Sequence, residues 1–196
     1  MRRVCVFCGS SPGRDPRYAE AAKALARGVV SRGIGVVFGG GSIGLMGILA
    51  DQALAAGGSV VGVIPHGLAA RELAHRGVAD MRVVATMHAR KALMAELADG
   101  FVALPGGIGT FEELLEVATW GQLGIHRKPI GILNVAGYYD PLVALLDHAV
   151  AEGFVSAVSA ANRGLLSVDE DPLRLLDRMA AHEPPPTPSW ITPEEA

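Results

Sequence analysis

The sequence lacks several features that mark specialised classes of protein. Its two cysteines are too few for a disulfide framework, and no apolar run reaches the length of a membrane-spanning helix. The N-terminal segment has neither the apolar core nor the cleavage pattern of a secretory signal. The net charge is −3 and no basic stripe is present, which argues against a partner with a nucleic-acid backbone. We therefore expect a cytoplasmic protein that binds neither nucleic acid nor a membrane.

Apolar residues and glycine are abundant instead. Half of the 196 residues are hydrophobic and 19% are charged, a balance that excludes a disordered chain and is sufficient for one sizeable core. Glycine occurs 25 times, well above its average share of roughly 7%. The glycines follow apolar runs and show no three-residue period, so the chain is not collagen-like. Their position behind apolar runs is typical of phosphate-binding loops.

Short apolar segments alternate with helical segments along the chain. Strands are predicted at residues 3–8, 34–38, 59–64, 81–85, 100–104, 129–134 and 163–168. Helices are predicted at residues 17–32, 44–56, 87–98, 110–123, 140–152 and 171–180. This alternation predicts an α/β fold with a single doubly wound parallel sheet that helices cover on both faces. The domain is expected to span residues 1–180, and residues 181–196 form a Pro-rich C-terminal tail.

Three glycine-rich loops follow predicted strands: GSSPG at 9–13, GGGSIG at 39–44 and PGGIGT at 105–110. In a doubly wound sheet the ligand lies beyond the carboxyl ends of the strands. If the loops converge there, their backbone N–H groups form a cleft that suits an anion. The candidate residues of the first two loops are Gly9, Ser10, Gly39, Gly40 and Gly41.

Several familiar cofactor sites are not expected. GGGSIG has the spacing of a dinucleotide-binding loop, but the next strand ends in Ile64-Pro65-His66 and supplies no acidic residue for a ribose. No Gly-Lys pair exists for a Walker A loop. Cys5 and Cys8 point to opposite faces of one strand, which predicts buried thiols and not a redox pair. The histidines show no metal-ligand spacing. We therefore expect no cofactor and no metal.

The segment MHARKALMAELA at 87–98 places cations where a helix disfavours them. Arg90 is three residues from Met87 and four from Met94, so it lies on the apolar stripe with Lys91 at its edge. Both cations also lie in the first turn, where the helix dipole repels positive charge. A bound phosphate would relieve both conflicts. The alternative is that Arg90 extends outward to a surface carboxylate.

The segment PGGIGTFEE at 105–113 is compatible with two interpretations. Thr110 and Glu113 have the spacing of a capping box, in which Glu113 folds back on the N-terminus of its own helix. In the other interpretation Glu113 is a catalytic acid of the cleft. Glu112 and Glu113 are ~100° apart around a helix, so we expect one of them to face the cleft and the other to face away.

The motifs PGGIGTFEE, MHARK and GGGSIGLMG together resemble the LONELY GUY (LOG) family, cytokinin riboside 5'-monophosphate phosphoribohydrolases that were long mislabelled as lysine decarboxylases. The resemblance runs from Val4 to about Val168. It implies a Rossmann-like fold, a homodimer and hydrolysis of the N-glycosidic bond of N6-modified adenosine 5'-monophosphates. The sequence departs from the family at Thr86, where many members have Asp, and residues 75–80 are less typical of it.

The resemblance also implies roles for individual residues, with a nucleoside 5'-monophosphate as the partner. Arg90 and Glu113 match the catalytic pair. The positions that match substrate-binding stretches are Glu72, Arg90, Lys91, Gly107, Ile108, Gly109, Thr110, Phe111, Glu112, Glu113 and Thr119. In this interpretation the 5'-phosphate binds the PGGIGT amides, and Glu113 stabilises positive charge on the ribose.

Three alternatives compete with this interpretation. Lysine decarboxylation is not expected, because none of Lys23, Lys91 and Lys128 has the context of a pyridoxal lysine. A general AMP or purine-nucleotide nucleosidase would use the same pocket and stays open. A non-enzymatic carrier of a nucleotide-like cofactor also stays open, although it would gain little from a carboxylate beside a phosphate.

Overall fold

The computed structural model describes residues 1–69, 73–155 and 166–184, and these residues contain one sheet of seven parallel strands. The strands are β1 (Arg3–Phe7), β2 (Gly35–Phe38), β3 (Val60–Pro65), β4 (Asp80–Val84), β5 (Phe101–Ala103), β6 (Ile130–Leu133) and β7 (Leu166–Asp169). Their order across the sheet is β4-β3-β2-β1-β5-β6-β7. Predicted residues 163–165, the tail from 185 onward and Glu72 lie outside the described residues.

Helices cover both faces of the sheet, which confirms the doubly wound fold. They are α1 (Pro16–Ser31), α2 (Gly44–Ala55), α3 (His66–Ala69), α4 (Met87–Leu97), α5 (Ile108–Gln122), α6 (Asp140–Ala151) and α7 (Pro172–Ala180), with a 3-10 turn at Val135–Gly137. One core cluster joins α1, α2 and α7 to the sheet, and the other joins α4 and α5 to its opposite face. The four-residue α3 was not predicted.

The central strands are buried on both sides, as expected for short apolar runs without alternation. All four residues of β2 and all three of β5 are buried. Cys5 packs in the cluster of α4 and α5, whereas Cys8 packs in the cluster of α1 and α2. Both thiols are free and buried, which confirms the prediction of buried cysteines on opposite faces.

The strand order reverses at β1, which pairs with β2 on one side and β5 on the other. The loops beyond these strands therefore meet at the switch point. The Gly9 N–H donates to the Pro105 carbonyl at 3.1 Å, and the Gly9 carbonyl accepts from the Leu45 N–H at 3.0 Å. Gly9 thus joins its own loop to Pro105 of PGGIGT and to Leu45, which directly follows GGGSIG, and the predicted convergence is confirmed.

No helix among the described residues combines the length and apolar character that crossing a bilayer requires.

Candidate functional site

A cleft of about 400 Å³ lies beyond the carboxyl ends of the central strands. All three glycine-rich loops contribute to it, together with the start of α4 and the start of α5. Among the residues named from the sequence, those that line it are Gly9, Ser10, Gly39, Gly41, Arg90, Gly107, Ile108, Gly109, Thr110 and Glu113. The structure therefore contains a cleft at the place where the sequence predicts one.

Helix α5 presents its open N-terminus to this cleft. The residue before its first turn is Gly107, which has no side chain to accept from the first backbone N–H groups, and no acidic residue lies in the first turn. The helix begins at Ile108, two residues earlier than Thr110. Thr110 is therefore inside the first turn and the capping-box interpretation is wrong. The unpaired N–H groups of this turn and the helix dipole suit an anion.

Gly107 and Gly109 leave room at the start of α5. A Cβ atom built on either residue would meet no protein atom within 4 Å. Neither residue has a positive φ, so neither the backbone conformation nor packing within the chain requires glycine there. A glycine inside a helix costs about 0.5–1 kcal/mol relative to alanine. The space above both residues instead permits close approach of a ligand.

Arg90 is held inside the cleft by α4, and it is 9% exposed. Its Nη2 donates to the Gly39 carbonyl at 3.3 Å and lies 3.8 Å from Oε1 of Glu113. A Cβ on Gly39 would lie 1.8 Å from that same Nη2, so glycine is required there for the guanidinium to fit. These inward contacts exclude the alternative in which Arg90 reaches a surface carboxylate.

The guanidinium of Arg90 has one donor without a partner among the described residues. Its Nε is buried and has no hydrogen-bond partner in the described part of the chain. A buried donor without a partner costs free energy of about 1–3 kcal/mol. Thr86 caps the helix that carries Arg90, since Oγ1 accepts from the Ala89 N–H at 3.0 Å. Asp and Thr both serve as N-caps, so the departure from the family at position 86 preserves this function.

Glu113 faces Arg90 from α5, and its side chain is 12% exposed. Burial raises the pKa of this carboxyl from 4.5 to about 7, and the positive charge of Arg90 acts in the opposite direction. The group can therefore exchange a proton near neutral pH, as catalytic carboxyls do. Glu112, one position earlier, has a side chain 51% exposed. The prediction that only one of the two carboxylates faces the cleft is confirmed.

Several residues that the family resemblance implicates do not line the cleft of this chain. The Lys91 ammonium donates to Glu112 and, at 2.9 Å, to Glu116. Phe111 packs against Tyr138, and the Thr119 hydroxyl donates to the Leu115 carbonyl. The residues outside the lining are Lys91, Phe111, Glu112 and Thr119, which the resemblance implicates, and Gly40, a candidate of the glycine-rich loops. Their roles in substrate binding stay predictions, as does that of Glu72.

The cleft also has an apolar wall that was not predicted from the sequence. The wall consists of Ile43, Met46, Ile64, Leu68 and Leu73. Ile43 is 47% exposed, an unusual position for a large apolar side chain between a glycine loop and a helix. That placement in GGGSIGLM was the available signal, but the other four residues resemble ordinary core positions.

The described residues contain no group of three or more His, Cys, Asp or Glu side chains that could hold a metal ion. The three lysine ammonium groups are engaged outside the cleft. Lys23 pairs with Glu20, Lys91 with the carboxylates of α5, and Lys128 donates to the Ala95 carbonyl. None of them is placed to form a Schiff base with a ligand in the cleft.

The sequence is similar to one protein family over most of its length. Residues 46–179 match the family model described as "Possible lysine decarboxylase". The chain is 52% identical over 186 residues to "Probable cytokinin riboside 5'-monophosphate phosphoribohydrolase LOGL5" of Oryza sativa subsp. japonica, covering 95% of this chain and 74% of the relative. It is 53% identical over 179 residues to "Cytokinin riboside 5'-monophosphate phosphoribohydrolase LOG2" of Arabidopsis thaliana, covering 90% and 83%.

Solved structures resemble the fold at lower sequence identity. The molybdenum cofactor carrier protein of Chlamydomonas reinhardtii has a TM-score of 0.69 and 20% identity, covering 92% of this chain and 99% of the other. The molybdenum cofactor binding protein of Rippkaea orientalis has a TM-score of 0.68 and 17% identity, covering 92% and 97%. At these identities the likeness establishes the fold alone.

Proposed function

The chain belongs to the LONELY GUY family of cytokinin riboside 5'-monophosphate phosphoribohydrolases, and we propose that it hydrolyses the N-glycosidic bond of N6-modified adenosine 5'-monophosphates. The products are the free cytokinin base and ribose 5-phosphate. The observation that carries the proposal is the placement of Glu113. Its buried carboxyl lies 3.8 Å from Arg90, in the same cleft as a helix N-terminus open to an anion.

The 5'-phosphate binds at the start of α5. Gly107 and Gly109 allow it to approach the backbone, and the amides of the first turn donate to its oxygens. Arg90 contributes positive charge and its unpaired Nε donor. Binding energy from the phosphate, which is remote from the reacting bond, can then support the chemical step.

The glycosidic bond breaks beside Glu113. As the base departs with the bonding electrons, positive charge develops on the ribose ring, and the ionised carboxylate of Glu113 stabilises it. Water adds its oxygen to the anomeric carbon and keeps one proton as the new hydroxyl group, and its other proton passes to the departing base. Because the pKa of Glu113 is about 7, a substantial fraction of this group is ionised at neutral pH.

The apolar wall distinguishes an N6-modified base from adenine itself. Ile43, Met46 and Leu73 offer a surface that gains free energy by covering an isoprenoid group, at about 0.8 kcal/mol for each buried methylene. AMP has no such group and leaves this wall uncovered. We therefore rank the general AMP nucleosidase second.

We also propose that the protein forms a homodimer through the outer face of α5. Leu115 is 41% exposed, and Ile108, which lies seven residues earlier on the same stripe and also lines the cleft, is 82% exposed. Met87 of the neighbouring α4 is 45% exposed. Burying these side chains against a second copy would remove apolar surface from water. A cytoplasmic location stays a prediction.

A substrate panel tests the proposed activity. The protein is incubated with isopentenyladenosine 5'-monophosphate, AMP and isopentenyladenosine, and the free base is quantified by chromatography. We expect rapid release from the first compound, slower release from AMP and little from the riboside. Equal rates with the first and third compounds would exclude phosphate anchoring. Binding of the nucleotide without release of base would instead favour the carrier.

A further inference from the structure

We propose that Tyr138 and Tyr139 are positioning residues of the phosphate site, which hold the peptide planes of the 104–106 turn so that the Gly107 amide is available to the ligand. This inference rests on the proposed function for the identity of the anion. Neither tyrosine lines the catalytic cleft. Both act through the loop that joins β5 to α5.

Three consecutive carbonyls of this loop each have a separate donor. The Tyr139 hydroxyl donates to the Leu104 carbonyl at 2.7 Å. The Gly9 N–H donates to the Pro105 carbonyl at 3.1 Å. The Tyr138 hydroxyl donates to the Gly106 carbonyl. Two adjacent side chains and one backbone group therefore fix the direction of three successive peptide planes.

The direction of the Gly106 carbonyl determines the direction of an amide in the cleft. In a planar trans peptide the C=O and the N–H of the next residue point to opposite sides. When Tyr138 holds the Gly106 oxygen, the Gly107 N–H is therefore directed away from Tyr138. Gly107 lines the cleft and precedes the first residue of α5. This peptide lies between two glycines, which have the widest choice of backbone conformation, so an external anchor restricts its rotation.

The segment that presents the two tyrosines is itself held under strain. Ala136 has a φ of 56°, a backbone conformation that residues other than glycine rarely adopt. The Asn134 side chain bridges the segment, because Oδ1 accepts from the Tyr139 N–H at 2.7 Å and Nδ2 donates to Asp140 at 2.7 Å. Backbone strain of this kind persists where surrounding contacts determine the conformation, and it concentrates near functional sites.

Aromatic packing fixes the ring of Tyr138 independently of its hydroxyl. Its ring is edge-on to Tyr18 at 5.7 Å and to Tyr139 at 5.1 Å, and it stacks on Phe111 at 6.4 Å. Replacement by phenylalanine should therefore leave the ring in place and remove only the anchor of the Gly106 carbonyl. Phe111, which the family resemblance links to substrate binding, here supports the same anchor.

The test is Tyr138→Phe, with Tyr18→Phe as the matched control. Within the described residues, the Tyr18 hydroxyl makes no hydrogen bond to the turn. Binding of ribose 5-phosphate is measured by calorimetry, the KM and kcat for isopentenyladenosine 5'-monophosphate by base release, and folding by thermal melting. For Tyr138→Phe we expect affinity for ribose 5-phosphate to fall roughly three- to tenfold. The KM for the nucleotide should rise to a similar extent, with kcat within twofold and the melting temperature near that of the wild type.

Cleavage of the unphosphorylated riboside should be unchanged in Tyr138→Phe, because the riboside has no phosphate to accept from the Gly107 amide. A variant that melts earlier yet binds ribose 5-phosphate as tightly as the wild type overturns the inference, as does an equal loss of affinity in Tyr18→Phe. If the wild type binds ribose 5-phosphate but releases no base, the proposed activity fails while the calorimetric comparison still decides the role of Tyr138. Tyr139→Phe is a second variant, expected to weaken binding in the same direction.

Discussion

Burial and the neighbouring charge of Arg90 shift the pKa of Glu113 in opposite directions. Desolvation raises the pKa of its carboxyl, and Arg90 stabilises the ionised form without restoring the ordinary value. The negative charges of Glu112 and Glu116 raise the pKa further, whereas Lys91 lowers it. The side chain thus remains near its midpoint at neutral pH, which is costly for a purely structural residue and useful for a catalytic one.

Glu113→Gln should abolish most of the activity while it preserves the fold. Glutamine has nearly the same shape but cannot carry the negative charge that stabilises the ribose, so we expect base release to fall by at least about 100-fold. Glu116→Gln is the control, because that carboxylate lies on the same helix, pairs with Lys91 and does not line the cleft. Full turnover by Glu113→Gln, measured by base release, would remove this residue from the mechanism.

The same substitution reveals the energetic cost of the buried carboxylate. The folded-state pKa of Glu113 is raised, so relative to Glu113→Gln the wild type is most stable below about pH 4.5 and loses stability as pH rises through about 7. The full difference is of the order of 3 kcal/mol. Denaturant unfolding of both proteins from pH 4 to 8 measures it. A difference in free energy of unfolding that does not change with pH would contradict the raised pKa.

The start of α5 is a place where the local sequence predicts the wrong structure. The spacing of Thr110 and Glu113 satisfies the capping-box pattern, but the helix starts at Ile108, so the pattern has no terminus to cap. Helix boundaries depend on contacts that are distant in sequence. Here Gly9 and Tyr138 hold the loop before the helix, and neither contact can be read from the local sequence.

Gly109→Ala should separate stability from binding within this helix. The added Cβ meets no protein atom, and alanine is the better helix former, so the free energy of unfolding should rise by about 0.5–1 kcal/mol. The same methyl group occupies the space above the open N-terminus, so affinity for ribose 5-phosphate should fall. Denaturant unfolding and calorimetry measure the two effects. Undiminished affinity would show that the phosphate binds elsewhere.

Across the whole molecule, the sequence predicts the order of elements better than it predicts the site. Short apolar strands between amphipathic helices determine a doubly wound sheet, and that sheet brings strand ends together, so Gly9, Gly39 and Gly107 could be assigned to one cleft in advance. The apolar wall could not, because Ile64 and Leu73 belong to different segments and resemble core residues. The contacts from Lys91 to Glu112 and Glu116 join two helices, and they could not be predicted from the sequence either.

The outer face of α5 is the surface through which we propose that the homodimer forms. Residues Leu114 and Val117 pack into the core, whereas Leu115 points outward on the same helix. If this face forms the homodimer, sedimentation or light scattering should give a mass twice 20.3 kDa. Leu115→Glu should then yield a monomer, because a charge in an apolar interface is costly to desolvate.

The control for this interface is Leu145→Glu, which changes a leucine of α6 that is 60% exposed. Since Leu145 lies on a different helix, this variant should keep the mass of the wild type. A wild type with the mass of a single chain at every concentration contradicts the dimer. A dimer that Leu115→Glu leaves intact would show that the interface lies on another surface.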